Sequence, residues 1–171
     1  MSKPRDILIT TCGRDAVRWI RHTHKHVIIS ITDPPPFGDG KRVNFDIDDD
    51  KLDVLHLSFA DFHAKHANSK IIDDEFGPEN RGRFLIELAM TPSHASCIRE
   101  FLEMWWGKFA TLIVHCEAGV SRSPSIALAI AERLGISRYA IEPVSRNWDA
   151  QPINPWCYGL VSEALKGARL P

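Results

Sequence analysis

Short apolar runs alternate along the chain with stretches whose apolar residues recur every three or four positions. Ile7-Leu8-Ile9 within Asp6 to Thr10, His26-Val27-Ile28-Ile29-Ser30-Ile31, Val54-Leu55-His56-Leu57-Ser58-Phe59 and Thr111-Leu112-Ile113-Val114 are runs of the first kind. Their length and branched side chains predict buried strands. Ala16, Val17, Trp19 and Ile20 fall at helical offsets and predict a helix within Gly13 to Thr23. Pro92-Ser93 reads as a helix start running to about Trp106, and a further helix is expected over Ser125 to Leu134. Ile136-Ser137-Arg138 opens a short helix, and Pro155 to Lys166 carries Leu160, Val161 and Leu165 on one stripe. Asp33-Pro34-Pro35-Pro36 and the glycines after it read as a rigid turn, and Asp46 to Lys51 as a polar one. Residues 62–92 are the least regular, with a short helix expected around Arg83 to Met90. The alternation predicts one α/β domain over residues 1–171, a mostly parallel sheet with helices on both sides.

Composition narrows the function classes. The 171 residues carry a net charge of −1, so nothing at the whole-chain level attracts nucleic acid or an anionic membrane. No long uncharged apolar run predicts a membrane span, and the first residues lack the apolar core of a secretory leader. The four cysteines, Cys12, Cys97, Cys116 and Cys157, have no paired spacing, so reduced thiols in a cytoplasm are expected. The histidines at 22, 24 and 26 and the acidic run at 46–50 are read as a helix end and a solvated turn. No metal and no cofactor is expected. The chain is expected to act as a monomer.

The chemistry concentrates in His115-Cys116-Glu117-Ala118-Gly119-Val120-Ser121-Arg122-Ser123. It lies between an apolar strand and a helical run, at the strand end where open α/β sheets place ligands. A sharp turn there aims successive backbone N–H groups at one spot, and the helix N-terminus adds its positive dipole end. That field suits a thiolate at Cys116. Arg122 is placed to fork two phosphate oxygens, Gly119 to take a positive φ, and Ser123 to cap the helix and donate to the sulfur.

These residues resemble the signature of the cysteine-dependent protein tyrosine phosphatases, His-Cys-x-x-Gly-x-x-Arg-Ser. The likeness is sharp over about residues 111–135 and is to the dual-specificity-like branch with its small bacterial and phage members. It implies a phosphocysteine on Cys116, with Arg122 and the N–H groups of Glu117, Ala118, Gly119, Val120 and Ser121 holding the phosphoryl oxygens. It also implies that His115 orients the loop; the rival reading, a Cys–His catalytic pair, is the weaker one, since neighbouring strand residues point to opposite faces.

The chemistry needs an acid for the departing oxygen. Asp61, directly after the Val54–Ala60 run, resembles the family's strand-then-Asp arrangement; Asp73, Asp74 and Glu75 are the alternatives. Asn154, in Gln151-Pro152-Ile153-Asn154-Pro155-Trp156, resembles the Asn-containing stretch before the family's last helix. Gln151 or Asn154 is expected either to contact the loop or position the hydrolytic water, or the stretch is simply a turn and helix start. The implied activity is hydrolysis of phosphomonoesters, on phosphotyrosine and also phosphoserine or phosphothreonine of proteins, or on a small phosphomonoester. The alternatives are a catalytically weak phosphate-recognition module and a phosphatase for a non-protein phosphate such as an RNA 5′ end or an inositol phosphate.

Overall fold

The computed structural model describes residues 7–17, 24–35, 37–45, 50–62, 77–80, 88–143 and 154–170. Five strands, β1 (Leu8–Gly13), β2 (His26–Thr32), β3 (Lys51–Ser58), β4 (Thr111–Cys116) and β5 (Ile141–Pro143), form one sheet in the order β3-β2-β4-β1-β5. Every pairing is parallel. The expected α/β architecture is therefore present, with a fully parallel sheet. β4 lies at its centre, between β1 and β2, and all six of its residues are buried. Both neighbours thus end beside the turn that follows Cys116.

Helices lie on both faces, as a parallel sheet requires. α2 (Pro92–Trp105), α3 (Arg122–Arg133) and α4 (Pro155–Leu165) cover one face, over a core that includes Ile29, Ile98, Leu102, Leu112, Val114, Ile126 and Val161. Each such side chain, fully buried, contributes about 1.5–3 kcal/mol. The other face packs Cys12, Ile28 and Ile113 under Val43 and Val17 of the short helix α1 (Arg14–Val17). α2 starts where Pro92 predicts: Thr91 caps it by accepting from the His94 N–H, and His94 Nδ1 accepts from the Thr91 N–H.

Several sequence expectations need correction. Lys51 opens β3 instead of closing a turn, because it pairs in the ladder with His26. Ser123 does not cap α3. The helix begins two residues earlier than that cap would set it, at Arg122, with Ser121 at the cap position and no side-chain cap bond. The short helix expected after Ile136 is the single 3-10 turn Arg138–Ala140, and β5, too short for any periodicity to register, follows it. Residues 18–23 and 46–49, most of the helix expected around Arg83 to Met90, and Gln151 lie outside the described residues, as do Asp73, Asp74 and Glu75.

Candidate active site

The turn from β4 to α3 is built around one glycine. Gly119 has φ +75°, and a Cβ there would lie 2.5 Å from the Gly13 nitrogen and 2.6 Å from the Cys12 carbonyl carbon. Only glycine meets both conditions without displacing backbone. The end of β1 is thus the outer wall of the turn, and the Arg14 N–H secures it by donating to the Glu117 carbonyl at 3.0 Å. Among the described residues, the N–H groups of Ala118, Gly119 and Val120 donate to no acceptor. Three consecutive free donors at the N-terminal end of a twelve-residue helix suit an anion.

Cys116 ends β4 at the floor of this turn and is 1% exposed. Its Sγ lies 3.2 Å from Ser123 Oγ, as expected for a hydroxyl that supports the sulfur. His115 points to the opposite face. Its Nε2 is hydrogen bonded to Ser30 Oγ on β2 at 2.8 Å, and its ring meets Phe45 edge-on at 5.9 Å. Burial pushes its pKa down to about 4, so the imidazole is neutral at physiological pH. It braces β4 against β2 and does not pair with the sulfur.

Arg122 is 2% exposed. Its Nη1 donates to Asp33 Oδ1 at 2.5 Å and to the Phe59 carbonyl at 2.7 Å. Its Nε is buried and has no partner among the described residues. Sequence reading misses the place of Asp33 beside Arg122, taking it as a turn former. The available signal was its position, one residue beyond a wholly buried strand at the ligand end of the sheet. Burial raises the pKa of the Asp33 carboxyl, Arg122 opposes that rise, and the charges of Glu117 and Asp61 add to it. The three carboxylates therefore share one electrostatic neighbourhood. Glu117 is held by Arg14 at 3.2 Å and accepts from the Asp33 N–H at 3.4 Å.

Asp61, three residues beyond β3, is brought to the loop. Its Oδ1 accepts from Ser121 Oγ at 2.8 Å and from Asn154 Nδ2 at 3.0 Å. Asn154 is fully buried and tied on every side. Nδ2 also donates to the Phe62 carbonyl, Oδ1 caps α4 by accepting from the Cys157 N–H, and its own N–H donates to Ser125 Oγ at 2.6 Å. Ser125 Oγ in turn donates to the Ser121 carbonyl at 2.7 Å. Asn154 thus caps α4 and links the Asp61 segment, by way of Ser125, to the Ser121 carbonyl. Ser125, absent from the sequence reading, closes that circuit.

Cys12 and Cys157 are buried, and burial pushes each thiol's pKa up to about 12; Cys97 is exposed. Among the described residues no cluster of His, Cys, Asp or Glu is arranged to hold a metal ion, and no helix is long and apolar enough to cross a membrane.

The site is defined as a thiol and a guanidinium at the two ends of one strand-turn-helix loop, with carboxyl groups from neighbouring strand ends beside it. Comparison with family models, with curated proteins and with solved structures gives no match.

Proposed function

We propose that this protein is a cysteine-dependent phosphatase that hydrolyses phosphomonoesters, phosphotyrosine foremost and phosphoserine or phosphothreonine as well. The observation that carries this reading is the buried Arg122 with its unpartnered Nε, at the far end of the loop that begins at Cys116. A guanidinium edge and a row of free amides are what a phosphoryl group's equatorial oxygens require. The signature residues His115, Cys116, Gly119, Arg122 and Ser123 supply the same parts.

In the first step the Cys116 thiolate attacks phosphorus. An S–P bond forms, the ester P–O bond breaks, and the departing oxygen takes a proton from the Asp61 carboxyl. In the second, water attacks phosphorus and gives its proton to the Asp61 carboxylate. The S–P bond breaks and its electron pair returns to sulfur, eased by the Ser123 hydroxyl. The products are the free alcohol or phenol and inorganic phosphate. Asp61 fits this role because it is exposed while its Oδ1 is tied to the loop through Ser121.

Two observations favour a second reading. Cys116 is almost wholly covered, and Asp33 already occupies part of Arg122. A catalytically weak phosphate-recognition module would have these features. Turnover of p-nitrophenyl phosphate, inhibited by vanadate and abolished in Cys116→Ser, is the expected result. Vanadate binding without turnover would transfer the assignment to the recognition module. Full activity in Cys116→Ser would refute the mechanism.

A further inference from the structure

We propose that Asp33 is the positioning residue of Arg122, a carboxylate that turns the guanidinium so that its Nε edge is left for the incoming oxyanion; this rests on the oxyanion-binding reading above. The fold places it there. Asp33 is the first residue beyond β2, and β2 lies against β4 in the sheet, so its end arrives beside the loop that β4 feeds. Pro34 holds Asp33 out of helical backbone geometry. The Asp33 N–H donates to Glu117, which Arg14 anchors in turn, so the carboxylate is itself fixed at its root.

A guanidinium has five donors in a planar fork. Asp33 Oδ1 and the Phe59 carbonyl both accept from Nη1, and they come from the ends of two neighbouring strands, β2 and β3. Two acceptors on one nitrogen fix both the position of that corner and the rotation of the plane. Nε, buried with no acceptor among the described residues, is the part of the fork that the clamp leaves open. A buried unpaired donor is costly unless something supplies its acceptor, and a tetrahedral oxyanion does. An arginine without Asp33 would have to find this pose from many rotamers each time it bound.

The test uses the full chain, with p-nitrophenyl phosphate as substrate and orthovanadate as the binding probe in calorimetry. Asp33→Ala removes the acceptor. It should raise KM and weaken vanadate binding by about tenfold or more, the scale of losing one well-oriented charge-assisted contact. Asp33→Asn keeps an oxygen that accepts from Nη1 and should restore vanadate affinity to within about threefold of wild type. Should Asp33→Ala fail to fold, Asp33→Glu serves in its place. It keeps the charge but moves the acceptor, and should weaken vanadate at least about fivefold. Wild-type vanadate affinity in Asp33→Ala or Asp33→Glu overturns the proposal. So does a kcat lost equally in Asp33→Asn and Asp33→Ala with vanadate affinity intact, which would make Asp33 the proton donor. Wild-type turnover with unaffected variants sinks this inference alone. A wild-type protein that neither binds vanadate nor turns over substrate sinks the phosphatase reading with it.

Discussion

Replacing His115 with Gln should remove much of the acid sensitivity of this protein. The imidazole is displaced from an ordinary pKa of 6.5 to about 4, chiefly by burial, with His56, Arg14 and Arg122 pushing the same way and a backbone contact at Cys116 opposing them. At 1.36 kcal/mol per pH unit, that displacement corresponds to about 3 kcal/mol of folding free energy. The unfolded chain takes up this proton near pH 6.5 and the folded chain only near pH 4. Through that window the unfolded state holds more protons, so stability is complete above pH 6.5 and falls as the pH drops towards 4. Burial also lowers the His56 and His94 values and raises that of Asp33, but these groups remain in both proteins and largely cancel in the difference. Urea unfolding from pH 8 to pH 4 measures it. Wild type should lose about 3 kcal/mol more than His115→Gln over this range. Gln can still reach Ser30 Oγ, so the variant should fold at neutral pH. Parallel stability curves would refute the reasoning, as would an imidazole resonance of His115 that titrates near 6.5 in the native protein.

Three further outcomes follow from the site. Asp61→Asn should lower kcat about 10²- to 10⁴-fold on alkyl or phenyl phosphate and much less on p-nitrophenyl phosphate, whose leaving group needs little protonation; a rate unchanged from wild type on both substrates would move the acid to Asp73, Asp74 or Glu75. Gly119→Ala should cost at least about 1–2 kcal/mol in urea unfolding from the left-handed backbone alone. The overlap with the Cys12–Gly13 backbone adds to that, and vanadate binding should be lost with it. Asn154→Ala should cost about 1 kcal/mol through the lost cap of α4. It should also reduce kcat on poor leaving groups, because Asp61 loses one of its tethers; unfolding curves and turnover together check it.

What the sequence revealed divides by distance along the chain. The loop from His115 to Ser123 was legible because strand, turn and helix are adjacent in sequence and each part has its own residue signature. Gly119 is the clearest case, since its positive φ is a local demand. Asp61 was legible because it directly follows an apolar strand. Asp33 was not, although it also follows one. Its meaning comes from Arg122, 89 positions later, and from a sheet order that sets β2 against β4. Nothing in the Pro-rich turn announces that neighbour. The cap reading of Ser123 failed for a subtler reason. A serine near a helix start reads as a cap, but Ser121 Oγ is drawn to Asp61, and Ser123 is left facing the sulfur. β5 escaped because three residues carry no usable period.

The wall that β1 gives the turn has a practical consequence. The fragment from Thr111 to Arg133, transplanted into another parallel α/β scaffold, would bring the thiol, the glycine and the guanidinium. It would not bring the Cys12–Gly13 backbone lying against that glycine, nor the Arg14 amide that fastens the first residue of the bend. A host lacking that neighbouring edge would receive the reactive groups without the mould that shapes them.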